Sequence, residues 1–342
     1  MAEGLKIGIV GIGSIGTVFS LLLEAKGYDV EITKKSALGL TIDNRVNLEI
    51  NGVFGDRSCL IPYMENNQFS SEKDIIFIFT QSWAVQSAYQ DVSKYLSPNG
   101  VVVVVQNVLN YKELEHILPQ NRFVPIVIDF NALRLDENHV EVIKSGAIHV
   151  GAITEKSNVY VPLLKTVLAS VSETVIEDDM LGFMISRFIL SNTISSLCAL
   201  TGYNLGTTLK NKQAKKLFTG LICEQTEVFT AMGIDVKPYN DIFDYKLFSE
   251  KSGAASKFRN TMINRLIKQN GEMISSTLRA LENNKRTELD SMCARVVEFA
   301  KDVNVSVPFC TAVAEFLQDV EDGKHSIIID NLNNEVFKKL EI

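Results

Sequence analysis

Cysteine and histidine are scarce in this chain, with five of the first and four of the second in 342 residues. The cysteines (Cys59, Cys198, Cys223, Cys293 and Cys310) are scattered, odd in number and never spaced as C-x-x-C. That pattern excludes a zinc ribbon and a disulfide framework, and it suits reduced thiols in a cytoplasmic protein. His116, His139, His149 and His325 are equally dispersed. They form no metal cluster, and each reads as structural. An apolar run long enough to span a bilayer is not expected, nor is a signal peptide, because the first apolar stretch reads as a strand. Positive charge is the minority sign, 34 Lys and Arg against 41 Asp and Glu, for a formal net charge of −7. A nucleic-acid partner would call for the opposite balance. Internal repeats and low-complexity tracts are also missing. What is present is a 46% hydrophobic composition on a chain long enough for two domains with separate cores.

Glycine is concentrated where it carries information. Gly8-Ile9-Val10-Gly11-Ile12-Gly13-Ser14-Ile15-Gly16 lies between an apolar strand, Leu5 to Val10, and an apolar helix, Ser14 to Ala25. Gly11, Gly13 and Gly16 thus form G-x-G-x-x-G in a strand–turn–helix context. The first glycine permits the tight turn, the second lets backbone approach a pyrophosphate, and the third lets helix pack on strand. The N–H groups of Ser14, Ile15 and Gly16 open the helix, and its dipole favours phosphate. A second strand, Tyr28 to Thr33, ends at Lys34-Lys35-Ser36. An NAD site commonly places an acidic residue at this tip, against the ribose 2′-hydroxyl. Lys34 and Lys35 suit a 2′-phosphate instead, so NADP(H) is the expected cofactor. Glu31 lies inside the strand, short of the tip. The bland alternative for the lysines is a solvated turn.

The first half alternates strands and helices. Asp74 to Phe79 and Val101 to Val105 are nearly continuous apolar runs, as in strands buried on both faces of a parallel sheet. Leu96-Ser97-Pro98-Asn99-Gly100 reads as a turn between them. Further strands are expected at Phe123 to Ile128, despite Pro125, and at Glu173 to Ile176. A hairpin is expected from Glu141 to Val150 through Ser145-Gly146, and a helix over Val159 to Ser170. The second half reads as helical over Met180 to Leu200, Ala214 to Met232, Lys257 to Gln269, Thr287 to Val303 and Thr311 to Val320. The residues around Asn331 to Asn334 read as a loosely held tail. The expected fold is α/β plus all-α. An N-terminal Rossmann-type doubly wound sheet occupies residues 1–178, and a C-terminal helical domain occupies residues 179–342.

Two stretches of the helical half carry a resemblance. One runs from Ser186 to Leu200, with Gly202 and Gly206 after it. The other holds Ser275-Ser276-Thr277-Leu278, then Thr287-Glu288-Leu289-Asp290 and Val305-Ser306-Val307-Pro308. With the N-terminal glycines, these resemble the ketopantoate reductase (2-dehydropantoate 2-reductase) family over nearly the whole chain. The resemblance implies a two-domain, NADPH-dependent, cytoplasmic reductase of a 2-oxo acid in pantothenate biosynthesis. Its helical domain would carry substrate contacts and pair into a homodimer, with no nucleic-acid or membrane partner and no metal.

The family's helix carries a lysine, then asparagines four and eight positions later, all on one face. Arg187, Ser191 and Ser195 stand at those places here. By the same resemblance, Ser276 and Glu288 are the kept serine and carboxylate, and Asn107 is the kept asparagine at the nicotinamide end. Gln81 replaces a lysine that often touches the cofactor. Val108-Leu109-Asn110 replace a glycine-rich turn. Guanidinium stays protonated at neutral pH, so Arg187 is a poor proton donor. It is a good partner for a carboxylate or a developing alkoxide. Smaller serines at 191 and 195 would widen the pocket. Arg187 and Glu288 are therefore the candidate catalytic residues, and Asn107, Ser191, Ser195 and Ser276 the candidate substrate contacts. The bland readings are an Arg187–Glu288 ion pair, a helix cap at Ser276 and a turn former at Asn107. Two other activities stay open: a catalytically impaired NADP-binding regulatory protein, and an opine or β-hydroxy-acid dehydrogenase.

Overall fold

The computed structural model describes residues 4–35, 41–105, 121–239, 243–250, 252–283, 287, 289 and 292–341. The chain divides into two compact units, Met1–Met180 and Leu181–Ile342.

The first unit is built on one mixed sheet. Its strands are β1 (Lys6–Val10), β2 (Asp29–Lys34), β3 (Thr41–Ile42), β4 (Arg45–Gly52), β5 (Arg57–Glu65), β6 (Lys73–Ile78), β7 (Leu96–Val105), β8 (Phe123–Ile128), β9 (Asn131–Arg134), β10 (His139–Lys144), β11 (Ile148–Val150) and β12 (Thr174–Ile176). Helices α1 (Ser14–Glu24), α2 (Val85–Val92) and α3 (Val161–Leu168) accompany them. The spatial order is β12-β11-β8-β7-β6-β1-β2-β5-β4-β10-β9, with β3 paired to β4. The six strands from β8 to β5 are parallel. The order runs outward one way from β1 through β2 to β5, and the other way from β6 through β7 to β8. The reversal between β1 and β6 is the switch point at which such sheets bind ligands, outside the carboxyl ends of the strands.

The apolar runs explain why these strands sit centrally. Ile75, Ile76, Phe77 and Ile78 are all fully buried, as are Val101 to Val104. Alternate residues feed opposite faces of the sheet. Ile75, Phe77, Val101 and Val103 join the core that contains Phe19 and Leu21 of α1. Ile76, Ile78, Val102 and Val104 join the core that contains Val85, Ala88 and Val92 of α2. Each such side chain contributes about 1.5–3 kcal/mol on burial.

Several expectations need correction. Leu96 to Gly100 is not a turn but the start of β7. Lys73 pairs with Leu96 and Ile75 with Val101, so the polar residues occupy a register shift. Glu141 to Val150 is not a hairpin. β10 pairs with β4 and β9, whereas β11 pairs with β8 and β12. Ser145-Gly146 therefore carries the chain across the sheet. β4 and β5 are an additional antiparallel pair, in which Val46, Leu48 and Ile50 alternate with outward-facing residues.

The second unit is helical: α4 (Met180–Thr201), α5 (Lys212–Ala231), α6 (Gly253–Asn270), α7 (Ser276–Glu282), α8 (Cys293–Val303) and α9 (Pro308–Glu321). Glu224 of α5 caps α9, its two oxygens accepting from the backbone N–H groups of Phe309 and Cys310 at 2.7 Å each. The tail is not loose. Leu332 and Phe337 are fully buried. Asn331 Nδ2 donates to the Leu200 carbonyl and Gln213 Nε2 to the Phe337 carbonyl, both at 2.8 Å. The expectation of no bilayer-length apolar segment also falls, because α4 is long and apolar enough by length and composition. Most of it is buried inside the protein, as in the core helix of a globular unit.

Candidate functional site

Glycine is required at two positions of the β1–α1 turn for reasons the geometry makes explicit. Gly11 has φ +95°, and a Cβ there would stand 2.9 Å from the Phe79 carbonyl oxygen beyond β6. Its N–H donates to the Thr33 carbonyl at 3.0 Å, tying the turn to β2. A Cβ on Gly16 would lie only 2.1 Å from the Gly11 oxygen. Gly13 differs: it is the N-cap of α1 in extended geometry, with φ −91° and ψ −167°, and no side chain caps the helix. A Cβ at Gly13 would meet nothing within 4 Å. The turn is closed on its protein side and open at Gly13, where the first-turn N–H groups of Ser14, Ile15 and Gly16 have no intrahelical acceptor. A helix start of this kind can accept an anion.

Two lysines stand at the neighbouring strand end. Lys34 closes β2, and its Nζ lies 3.9 Å from Glu137 Oε1, both partly exposed. Such a pair holds weakly and yields readily to a ligand. Lys35 follows, exposed, with Nζ 3.4 Å from Ser87 Oγ of α2. Glu31 is committed elsewhere. It is buried, lies 2.6 Å from Lys73 Nζ, and accepts from the N–H and hydroxyl of Ser70. Gln81 is exposed after β6, its carbonyl accepting from Ala84 N–H at 2.9 Å. Beside it, the buried Oγ1 of Thr80 has no hydrogen-bond partner among the described residues. The glycine turn, Lys34, Lys35 and Gln81 are thus gathered at the carboxyl ends of β1, β2 and β6.

In the helical unit, Arg187, Ser191 and Ser195 occupy one face of α4. Arg187 and Ser195 are half-buried and Ser191 is exposed, whereas residues 188–190, 192–194 and 196–200 are buried. The guanidinium lies over the Tyr239 ring, 5.6 Å from its centroid. This cation–π partner sits 52 positions away in a loop, and no sequence signal pointed to it. The asparagine that α4 does contain, Asn192, faces the core and donates to Gln225 Oε1 at 2.7 Å. Ser276 opens α7, but the cap is its neighbour: Ser275 Oγ accepts from Leu278 N–H at 3.1 Å. The side chain of Ser276, and Asn107 and Glu288 altogether, lie outside the described residues.

Among the described residues no cluster could hold a metal ion, and all five cysteines are free thiols. His149 stands between two carboxylates, Nδ1 2.7 Å from Glu177 and Nε2 3.2 Å from Asp129. Burial pulls its pKa down, but the two partners outweigh it and hold it above the ordinary value.

Residues 7–155 match the family described as Ketopantoate reductase PanE/ApbA, and residues 179–321 match its C-terminal counterpart. The chain belongs to the ketopantoate reductase family. A 2-dehydropantoate 2-reductase of Pyrococcus horikoshii is 21% identical over 314 residues, 89% of this chain and 93% of that protein. Among solved structures, a D-mandelate dehydrogenase with NADH and anilino(oxo)acetate superposes with a TM-score of 0.78 at 17% identity, covering 96% of this chain and all of that one. A PanE/ApbA family ketopantoate reductase from Ralstonia eutropha gives 0.76 at 18% identity, covering 94% of this chain and 100% of the other. The chain is accordingly a 2-dehydropantoate 2-reductase-like oxidoreductase of Rossmann type with a C-terminal helical domain.

Proposed function

We propose that this family member is an NADPH-dependent reductase of a 2-oxo acid whose substrate has diverged from ketopantoate. The observation that carries the cofactor choice is the pair Lys34 and Lys35 at the β2 tip, together with the commitment of Glu31 to Lys73. β2 itself offers a ribose 2′-hydroxyl no carboxylate at that tip, the nearby Glu137 being paired at 3.9 Å with Lys34, and a 2′-phosphate would find two ammonium groups. The open space at Gly13 and the uncapped first turn of α1 fit the pyrophosphate of a dinucleotide. Gly11, Gly13, Ser14, Ile15 and Gly16 would hold it, with Gln81 and Asn107 toward its nicotinamide end. When bound, the reduced nicotinamide supplies a hydride for a carbonyl carbon.

The chain's own contribution on the substrate side is Arg187. Its guanidinium is charged at any working pH and presents a fork of donors matched to a carboxylate. It orients the acid group of the substrate or stabilises charge growing on the carbonyl oxygen, while water or another group delivers the proton. Ser191 and Ser195, short side chains on the same helix face, leave room for a larger acid than the family's asparagines would. Ser276 and Glu288 hold its remaining polar groups. The fold relative named for mandelate supports such latitude, since it is named for an acid other than pantoate.

The test is a panel of 2-oxo acids with NADPH or NADH, followed by loss of nicotinamide absorbance. Turnover of at least one acid, with NADPH preferred, is the expected result. Cofactor binding without turnover of any acid would overturn the enzymatic reading, and strictly amine-dependent turnover would move the chain to opine-type chemistry.

A further inference from the structure

Glu137 is joined to the β2 tip by topology as well as by distance. β5 runs parallel to β2, with Glu65 opposite Lys34. β4 runs antiparallel to β5, and β10 runs parallel to β4 from His139, opposite Glu49. The turn before β10 therefore opens on the same edge of the sheet as the carboxyl end of β2. That turn is held through its backbone. Arg134, at the end of β9, donates from Nε to the Asp136 carbonyl at 2.9 Å and from Nη2 to the Glu137 carbonyl at 2.6 Å. The Asp136 carboxylate accepts from the N–H groups of Asn138 and His139 at 2.9 and 2.8 Å. The Glu137 side chain takes no part in these bonds. Its Oε1 stands 3.9 Å from Lys34 Nζ, with 43% of the side chain exposed. An exposed pair of this kind adds little to stability, so its weight lies in the charge it sets at the tip.

Resting on the NADP(H) reading above, we propose that Glu137 is a specificity-determining residue of the cofactor site, a carboxylate supplied from the β9–β10 turn that moderates the preference for a 2′-phosphate. A site that takes NAD commonly places its acid at the end of the second strand. Here the second strand ends in lysines and the acid comes from another strand pair, so ammonium and carboxylate meet at one point. The two cofactors differ there by one group. A phosphate of charge about −1.5 to −2 is drawn to Lys34 and Lys35. It is also repelled by Glu137, which must give up Lys34 to it. A hydroxyl is neutral and can donate to the same carboxylate. Glu137 thus subtracts from NADPH affinity and takes nothing from NADH, which narrows the gap between them.

The test is fluorescence titration of NADPH and NADH against the full-length protein and its variants. Glu137→Gln keeps the shape and removes the charge. It should tighten NADPH by roughly three- to tenfold, with NADH unchanged or weaker. The unfolding midpoint should not move, because the turn is held by backbone bonds that the variant keeps. An unchanged ratio of the two affinities would overturn the proposal. Equal weakening of both nucleotides would also overturn it, and would assign Glu137 to the turn alone. An equal gain in Glu65→Gln, the acid opposite Lys34 in register, would mean that any acid near the tip acts through the general field, and would refute the assignment to Glu137. If joint replacement of Lys34 and Lys35 by alanine still weakens NADPH selectively, the cofactor reading stands whatever Glu137 does. If it does not, both proposals fall.

Discussion

Replacing Gly13 and Gly16 separately by alanine should divide stability from binding. At Gly16 a methyl group would sit 2.1 Å from the Gly11 carbonyl oxygen, more than an ångström inside ordinary contact. Both partners are backbone, so relief requires α1 to move off β1 or the turn to open. Overpacking of this kind costs about 1–3 kcal/mol. Loss of the hydrogen bond from Gly11 N–H to Thr33 would add about 1 kcal/mol. Better helix propensity returns up to about 1 kcal/mol. The net is about 1–4 kcal/mol, a fall in Tm of about 2–16 °C for a unit of this size. At Gly13 the backbone is already extended and a methyl group meets nothing. A poorer N-cap costs under about 1 kcal/mol, and a less flexible unfolded chain returns about as much. Tm should stay within about 2 °C. The same methyl group would nevertheless stand where a pyrophosphate approaches. Loss of one or two charge-assisted hydrogen bonds, about 1.5–3 kcal/mol each, should weaken NADPH at least tenfold. Thermal melts without nucleotide, paired with fluorescence titration of NADPH, measure both effects. Wild-type affinity in Gly13→Ala, or an unchanged melt in Gly16→Ala, would refute the roles assigned to this turn.

The other predictions concern charge. Replacing Lys34 and Lys35 together by alanine should weaken NADPH by about tenfold or more while barely touching NADH; equal weakening in a competition titration would count against a 2′-phosphate at the β2 tip. Arg187→Lys should raise ketopantoate turnover by restoring a titratable ammonium on the α4 face, and an unaltered kcat would argue that Arg187 does not stand at the family's lysine position. For His149 the folded pKa is raised, so its stabilisation is complete below the ordinary value of 6.5 and fades as pH rises through the folded value. Urea melts between about pH 6 and about pH 8 should lose up to about 1.4 kcal/mol per pH unit from this group. His149→Gln should flatten that slope, and an identical slope in the variant would exclude the histidine as its source.

Much of the first unit was legible because its signals are local. The glycine spacing and the β1, β6 and β7 apolar runs each declare their structural role within a few residues. The errors fell where pairing decides. Nothing local in Glu141 to Val150 says that β10 will seek β4 across some ninety positions rather than its neighbour β11. Leu96-Ser97-Pro98-Asn99-Gly100 has turn chemistry, but a register shift in a strand tolerates the same residues. The tail looked loose because Leu332 and Phe337 are isolated apolar residues among polar ones, and only the assembled helices supply their pockets. On α4 the spacing of Arg187, Ser191 and Ser195 was readable, whereas Tyr239 was not, since a cation–π contact over 52 positions leaves no periodic trace.

The exchange of an ammonium for a guanidinium separates two tasks that a lysine performs at once. A lysine can hold an oxygen and give up a proton to it. Arg187 can only hold, and its guanidinium lies over the Tyr239 ring, a cation–π contact. A chain that keeps the nucleotide cradle but gives up the proton donor must obtain the proton from water or from another side chain. On the proposed reading it would gain in return a bidentate anchor for a carboxylate and a less crowded helix face at Ser191 and Ser195. Those three changes point one way: toward an acid held by its carboxylate and larger beyond the carbonyl. On the reading proposed above, divergence of substrate accounts for them more directly than loss of function does.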